Sequence, residues 1–296
     1  AQQSDLSRRI WHKDAAVWKA DEVHQKIIRN SLGWLSVPGK MIAVADEINA
    51  FAEQIRGSGN FKHVMLCGMG GSSLCPEVLR QTFGVQESYP ELLVLDSTDP
   101  DVLANFRTQI DLDRCLFMIA SKSGTTTEPL VFYKYWYDQV RQTKGNPGDS
   151  FVAITDPGTR MVEMATADQF RHIFLNPPDI GGRYSALSYF GLVPAALMGL
   201  DIKKLLARAK GYYQTKSKLY RAAKESVDTA LKQDARGLDD ALTAMRAGMA
   251  EVMSELLMLA ERELVPELLD QAADGVAIDA GDGGAPVTRT AARRKC

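Results

Sequence analysis

The sequence lacks a dominant charge sign: 35 lysines and arginines stand against 37 aspartates and glutamates, a formal net charge of −2. Bulk attraction to nucleic acid or to an anionic membrane is therefore not its organising principle, and neither is expected as a partner. Cysteine and histidine are scarce, four of each in 296 residues. Cys67, Cys75, Cys115 and Cys296 show no metal-ligand spacing and no disulfide framework, and three of them lie in or beside apolar runs, as reduced cytosolic thiols do. No metal and no cofactor is expected. Long apolar runs are missing too. The longest uncharged stretch, residues 184–200, is short for a membrane span and carries Ser185, Ser188, Gly191 and Pro194, so it reads as a buried helix. The first residues, Ala1-Gln2-Gln3-Ser4-Asp5, have no basic-then-apolar export pattern, and the expected location is cytoplasmic.

What remains, 45% hydrophobic and 24% charged residues, is the composition of a globular protein with a sizeable core. Residues 1–60 read as a helical segment, with amphipathic runs over 14–30 and 38–56. From residue 61 to 208 short apolar runs alternate with helical stretches. His63-Val64-Met65-Leu66-Cys67, Leu92-Leu93-Val94-Leu95, residues 116–120, Phe151-Val152-Ala153-Ile154 and His172-Ile173-Phe174-Leu175 read as strands, with helices over 76–82 and 100–109. Strands that are apolar throughout and separated by helices predict a parallel sheet covered on both faces: an α/β three-layer sandwich of about five strands. Ligands of such sheets bind at the carboxyl ends of the strands. Residues 209–270 read as a helical C-terminal segment. Residues 271–296, with little apolar surface to offset ordering, read as a disordered tail.

Three loops carry chemistry. The most informative runs Ser121-Lys122-Ser123-Gly124-Thr125-Thr126-Thr127 between a predicted strand and a predicted helix. A turn there sets the unpaired N–H groups and positive dipole end of the helix beside five hydroxyls and an ammonium, an arrangement suited to a phosphate ester. A helix capped by Ser or Thr is the plainer alternative, but it accounts for one or two hydroxyls, not five with a lysine among them. The second loop, Gly68-Met69-Gly70-Gly71-Ser72-Ser73, also follows a strand directly. Its glycines admit a ligand close to the backbone, and its spacing fails both the dinucleotide fingerprint and the P-loop; a tight turn is the alternative. The third, Asp179-Ile180-Gly181-Gly182-Arg183-Tyr184-Ser185, delivers a guanidinium suited to a phosphate or a developing enolate oxygen, unless Arg183 is an ordinary surface arginine.

In order and spacing these loops resemble phosphoglucose isomerases of the sugar-isomerase (SIS) fold. The nearer resemblance, through Arg9-Ile10-Trp11, Leu32-Gly33-Trp34-Leu35, Leu95-Asp96-Ser97-Thr98-Asp99-Pro100 and residues 174–199, is to the isomerase half of bacterial bifunctional transaldolase/phosphoglucose isomerases. It covers about residues 9–208. The resemblance implies interconversion of glucose 6-phosphate and fructose 6-phosphate through a cis-enediol. By motif, Ser121, Lys122, Ser123 and Thr126 would hold the phosphate with Thr125 beside them, Gly71 and Ser72 would line the sugar, and Arg183 would stabilise the enediolate. A hexose 6-phosphate is the expected partner, and a homodimer is among the assemblies left open.

One part of the family pattern has no counterpart. The family moves the proton with a carboxylate in a Glu-Ser-Thr/Asn-Gly-Lys type segment, assisted by a later histidine and lysine. Here all four histidines, His12, His24, His63 and His172, precede Arg183, and no such segment occurs. Glu251, Glu255, Glu261, Glu263 and Glu267 lie downstream on a pattern that reads as a solvated helix face, and none is singled out as base. Two other function classes therefore stay open: a non-catalytic phosphosugar-binding or regulatory module, and an aminosugar-phosphate isomerase domain, the latter opposed by Gly-Gly-Arg-Tyr-Ser.

Overall fold

The computed structural model of the protein describes residues 6–214. Its N-terminal part is helical in shorter pieces than the periodicity predicts. Helix α1 is Leu6–Trp11; the run over 14–30 divides into a 3-10 turn, Ala15–Val17, and α2, Glu22–Arg29. The break has a local cause. Asp14 accepts from the Ala16 N–H at the start of the run, and Asp21 accepts from the His24 N–H, so Asp21 starts a new element where a continuous helix would have left it mid-span. The run over 38–56 likewise divides into α3, Val37–Ile42, and α4, Ala45–Ser58.

The alternating region folds as expected into β1 (His63–Gly68), α5 (Leu74–Phe83), β2 (Glu91–Leu95), α6 (Pro100–Gln109), β3 (Cys115–Ala120), α7 (Thr127–Val140), β4 (Phe151–Thr155), α8 (Arg160–Ala167), β5 (His172–Leu175) and α9 (Tyr189–Leu197). All five strands are parallel, in the order β2-β1-β3-β4-β5. Pleat alternation divides the strand side chains between two cores. Val64, Leu66, Leu116, Met118, Val152, Ile154 and Phe174 pack against α3, α4, α5 and α9. Met65, Cys67, Phe117, Ile119, Phe151 and Ala153 pack against α6, α7 and α8. The result is a three-layer α/β sandwich, and α3 and α4 belong to one of its outer layers.

Helix α9 is buried along its whole length, which is why residues 184–200 are uncharged without spanning a membrane. Among the described residues no helix is long and apolar enough to cross one. On the other face the ring of Phe117 stacks on both Trp136 and Phe151 at 5.1 Å. Burial of each such ring is worth about 1.5–3 kcal/mol, so this stack anchors α7 and the loop that precedes it. A helical run starts at residue 202 and reaches residue 214. Nearly all of the predicted 209–270 segment, and the whole 271–296 tail, lie outside the described residues.

Candidate functional site

In the strand order, β1 is where the connections reverse direction: β2 lies on one side of it and β3, β4 and β5 on the other. The crevice at the carboxyl ends of β1 and β3 is therefore the topological switch point where ligands of open parallel sheets bind. Register places Gly68, the last residue of β1, opposite Ala120, the last of β3, so the glycine loop and the serine loop leave the sheet side by side. A cavity of about 310 Å³ opens between them. Its lining includes Gly71, Ser72, Ser121, Lys122, Ser123 and Thr126, six of the eight residues singled out from sequence. Thr125 and Arg183 are exposed and do not line it, although Gly182, next to Arg183, does.

The serine loop is built on close approach. Gly124 has φ +64°, and a Cβ there would meet the Thr159 side chain at 2.6 Å. Ser121, 2% exposed, donates its N–H to the Ile154 carbonyl at 3.0 Å and its hydroxyl to Thr126 Oγ1 at 3.2 Å. Ser123 Oγ lies 3.3 Å from Thr126 Oγ1 and accepts from the Thr125 hydroxyl at 3.1 Å. Thr126 is the N-cap residue of α7, yet its side chain makes no capping bond; it faces Ser121 and Ser123 instead. The hydroxyls thus form one connected set in front of a helix start whose first N–H groups their side chains leave available to an anion.

Lys122 is held differently. Its ammonium pairs with Asp156 Oδ2 and donates to the Pro178 carbonyl at 3.1 Å. Asp156 in turn accepts from Asn176 Nδ2 at 3.1 Å through its other oxygen. Asn176 is fully buried, and its Oδ1 has no partner among the described residues. Asp156 and Asn176 escaped the sequence reading because neither lies in a motif. Both stand immediately after strands, β4 and β5, on the same carboxyl edge as the loops, and their place within two residues of a predicted strand end was the available signal. Among the described residues, Asp156 is the only carboxylate lining the cavity, and no histidine lines it.

The third motif is bolted to the second. A Cβ on Gly71 would meet the Gly182 carbonyl oxygen at 2.2 Å, so only glycine permits this approach. The Ser185 hydroxyl lies 3.1 Å from the Gly71 carbonyl and 2.7 Å from that of Gly182. From outside, the N-terminal segment clamps the same loop: Leu32 bridges Ile180, the Gly33 N–H donates to the Asp179 carbonyl at 2.6 Å, and Trp34 stacks on Tyr184 at 5.3 Å. Lys40 pairs with Asp179 at 2.9 Å. The backbone beside Arg183 is therefore fixed from two sides. Cys75, which abuts Ala186, has its thiol pushed above the ordinary range by burial and offers no nucleophile. Among the described residues, no cluster of metal-ligating side chains occurs.

Comparison with known proteins agrees with this geometry. The sequence model of the family described as phosphoglucose isomerase matches residues 27–223. A glucose-6-phosphate isomerase of Prochlorococcus marinus (strain NATL2A) is 30% identical over 198 residues, covering 66% of this chain and 36% of that protein. One from Campylobacter jejuni is 28% identical over 196 residues, covering 66% of this chain and 47% of that protein. The chain thus spans between about a third and a half of the length of these relatives. The crystal structure of a hypothetical protein from Thermus thermophilus superposes with a TM-score of 0.60 at 26% identity, over 75% of this chain and 53% of that one. A glucose-6-phosphate isomerase from Chlamydia trachomatis has the same fold, with a TM-score of 0.50 at 23% identity, over 74% of this chain and 38% of that one. The ordered loops, the cavity between β1 and β3 and the family match lead to one conclusion: the chain belongs to the phosphoglucose isomerase family.

Proposed function

We propose that residues 61–208 form the phosphosugar-binding unit of a glucose-6-phosphate isomerase, acting on glucose 6-phosphate and fructose 6-phosphate. The observation that carries this reading is the convergence of all three loops on one cavity at the switch point, with a linked set of hydroxyls before the start of α7. In this reading Ser121, Ser123 and Thr126 hold the phosphate, with Thr125 at its edge. Lys122 contributes its place in the loop, its charge being already paired with Asp156. Gly71 and Ser72 line the sugar. Arg183 swings from its exposed position to stabilise the enediolate, a charge present only along the reaction path, so it acts on rate more than on affinity. The free Cys67 and Cys115 support a reducing, cytoplasmic setting.

Isomerisation also needs a group that moves a proton between C1 and C2. Asp156 is committed to Lys122 and Asn176, and no other carboxylate among the described residues lines the cavity. That observation favours a second reading, a phosphosugar-binding module with little turnover. Positioned acid–base catalysis is worth about 10²–10⁴-fold, so a chain without its base binds the sugar phosphate and turns it over slowly. Calorimetry with glucose 6-phosphate, run beside a coupled isomerase assay, separates the readings. Binding with turnover lower by that factor than in full-length relatives supports the module; fast turnover lost on replacing one glutamate between residues 251 and 267 refutes it. Thr126→Ala lowers affinity by on the order of 1–3 kcal/mol, and no change in that variant places the site elsewhere.

A further inference from the structure

The opposite end of the sheet carries a second cavity of about 310 Å³, unrelated to the three motifs. Its walls come from the residues that enter the strands: Phe61 before β1, Arg114 before β3, Ser150 before β4 and Arg171 before β5, with Lys144 arriving from the turn after α7. Three cations converge there. Lys144 Nζ donates to the Asp113 carbonyl at 2.8 Å and to Ser150 Oγ at 2.7 Å. Arg171 Nε donates to the Asp149 carbonyl at 2.6 Å, and an Arg114 terminal nitrogen to the Gly59 carbonyl at 3.1 Å. Lys144 and Arg171 lie over the same Phe61 ring, 5.9 and 5.4 Å from its centroid.

Every one of those bonds ends on a neutral oxygen. None of the three cations forms an ion pair with a described residue, whereas Arg9, Lys40, Arg56, Arg80 and Lys122 each do. Asp113 and Asp149 give these cations their backbone carbonyls; both are exposed residues that also line the cavity, and neither carboxylate pairs with any of the three cations, which outnumber them. Partial burial holds the Lys144 pKa below the ordinary lysine range, with Asp113 opposing the shift and the Arg171 charge reinforcing it. Like charges gathered in a concave, partly dehydrated site cost free energy unless an anion enters, and the two terminal nitrogens of Arg171 form a fork that no described protein group occupies. A structural role alone, tying loops together through carbonyls, needs neither three full charges nor a cavity between them.

We propose that this cavity is a second anion site, independent of the sugar-phosphate site, for a small oxyanion: a phosphate ester or a carboxylate held by Arg114, Lys144 and Arg171. It lies at the amino ends of the strands whose carboxyl ends carry the catalytic loops, so an occupant would act on the chain as an effector rather than as a substrate.

The test uses the full chain with the sugar-phosphate site blocked by Ser123→Asp, which puts a carboxylate among the phosphate-loop hydroxyls. Inorganic phosphate and citrate are titrated separately while the backbone amides of Asn60, Phe61, Arg114 and Arg171 are followed by NMR. Saturable shifts at these amides with either anion are expected, and the anion that gives them identifies the class. Adding Arg171→Gln or Arg114→Gln should weaken that binding about tenfold or more, the loss of one charge-assisted contact. Arg114→Gln leaves the bonds of Lys144 and Arg171 in place, so it reports even where Arg171→Gln disturbs folding. Amides that move with neither anion, or binding that both substitutions leave unchanged, would overturn the proposal.

Discussion

The two ends of the same five strands use charge in opposite ways. At the carboxyl end the one lysine of the serine loop is already neutralised: Lys122 sits on Asp156, itself held by the buried Asn176, and the proposed anion contacts are hydroxyls and the start of α7. At the amino end Arg114, Lys144 and Arg171 bond only to neutral oxygens among the described residues, and their charge is unspent. A lysine inside a recognisable motif is thus a poor guide to where free positive charge resides. The difference follows from how each end is built. Contiguous loops after β1 and β3 create the first site, whereas single residues before four separate strands create the second.

The sharpest way to break this comparison is to damage one end alone. Gly124 has both a left-handed φ of +64° and a neighbour, Thr159, that leaves no room for a methyl group. Gly124→Ala should therefore lose about 2–4 kcal/mol of stability, adding backbone strain to overpacking. Glucose 6-phosphate affinity should fall with it, while the anion response at Phe61 and Arg171 persists in the folded fraction. Equal loss at both ends, read by denaturant titration and calorimetry, would mean that the two ends are not independent.

A somewhat smaller effect is expected from Asp156→Ala, which leaves the Lys122 ammonium with only the Pro178 carbonyl. Uncompensated burial of an ion costs several kcal/mol at full depth, but the Lys122 side chain is 31% exposed, so roughly 2 kcal/mol is the expected loss. Adding Lys122→Met should restore part of it, because the unpaired charge is then gone. Failure of the second substitution to recover stability would mean that Asp156 acts through Asn176 rather than by neutralising Lys122.

These contrasts also explain what was legible in the chain. The five strands stood out because a sheet buried on both faces needs uninterrupted apolar runs such as Cys115–Ala120, and the cavity stood out because its hydroxyls are neighbours in sequence. The division of the run over 14–30 was missed, since Asp21 looks like an ordinary polar position of an amphipathic helix until its side chain is seen to cap. Asp156 and Asn176 were missed because each contributes one residue from a different strand end. For Arg183 both a cleft and a surface position stayed open, and the side chain is exposed, since a glycine-flanked loop fixes its backbone without fixing its side chain.

The mildest test concerns protons. No histidine among the described residues lines the carboxyl-end cavity, whereas His172 opens β5 next to Arg171, its ring 5.2 Å from Phe51 and 4.2 Å from Phe174. Burial lowers its pKa below the ordinary value of 6.5, and Glu47, 3.7 Å away, only partly offsets this. In the window below 6.5 the unfolded chain therefore binds more protons at this site than the folded one. The sign follows: this contribution is fully favourable above pH 6.5 and is lost as pH falls through the folded pKa. His172→Gln should flatten the decline in melting temperature between about pH 7 and pH 5. The pH dependence of glucose 6-phosphate affinity should not change, because that site holds no titrating partner of His172 among the described residues. If the substitution left the stability profile as steep as before, the proton-sensitive group would lie elsewhere, and the amino end of the sheet would lose its claim to that sensitivity.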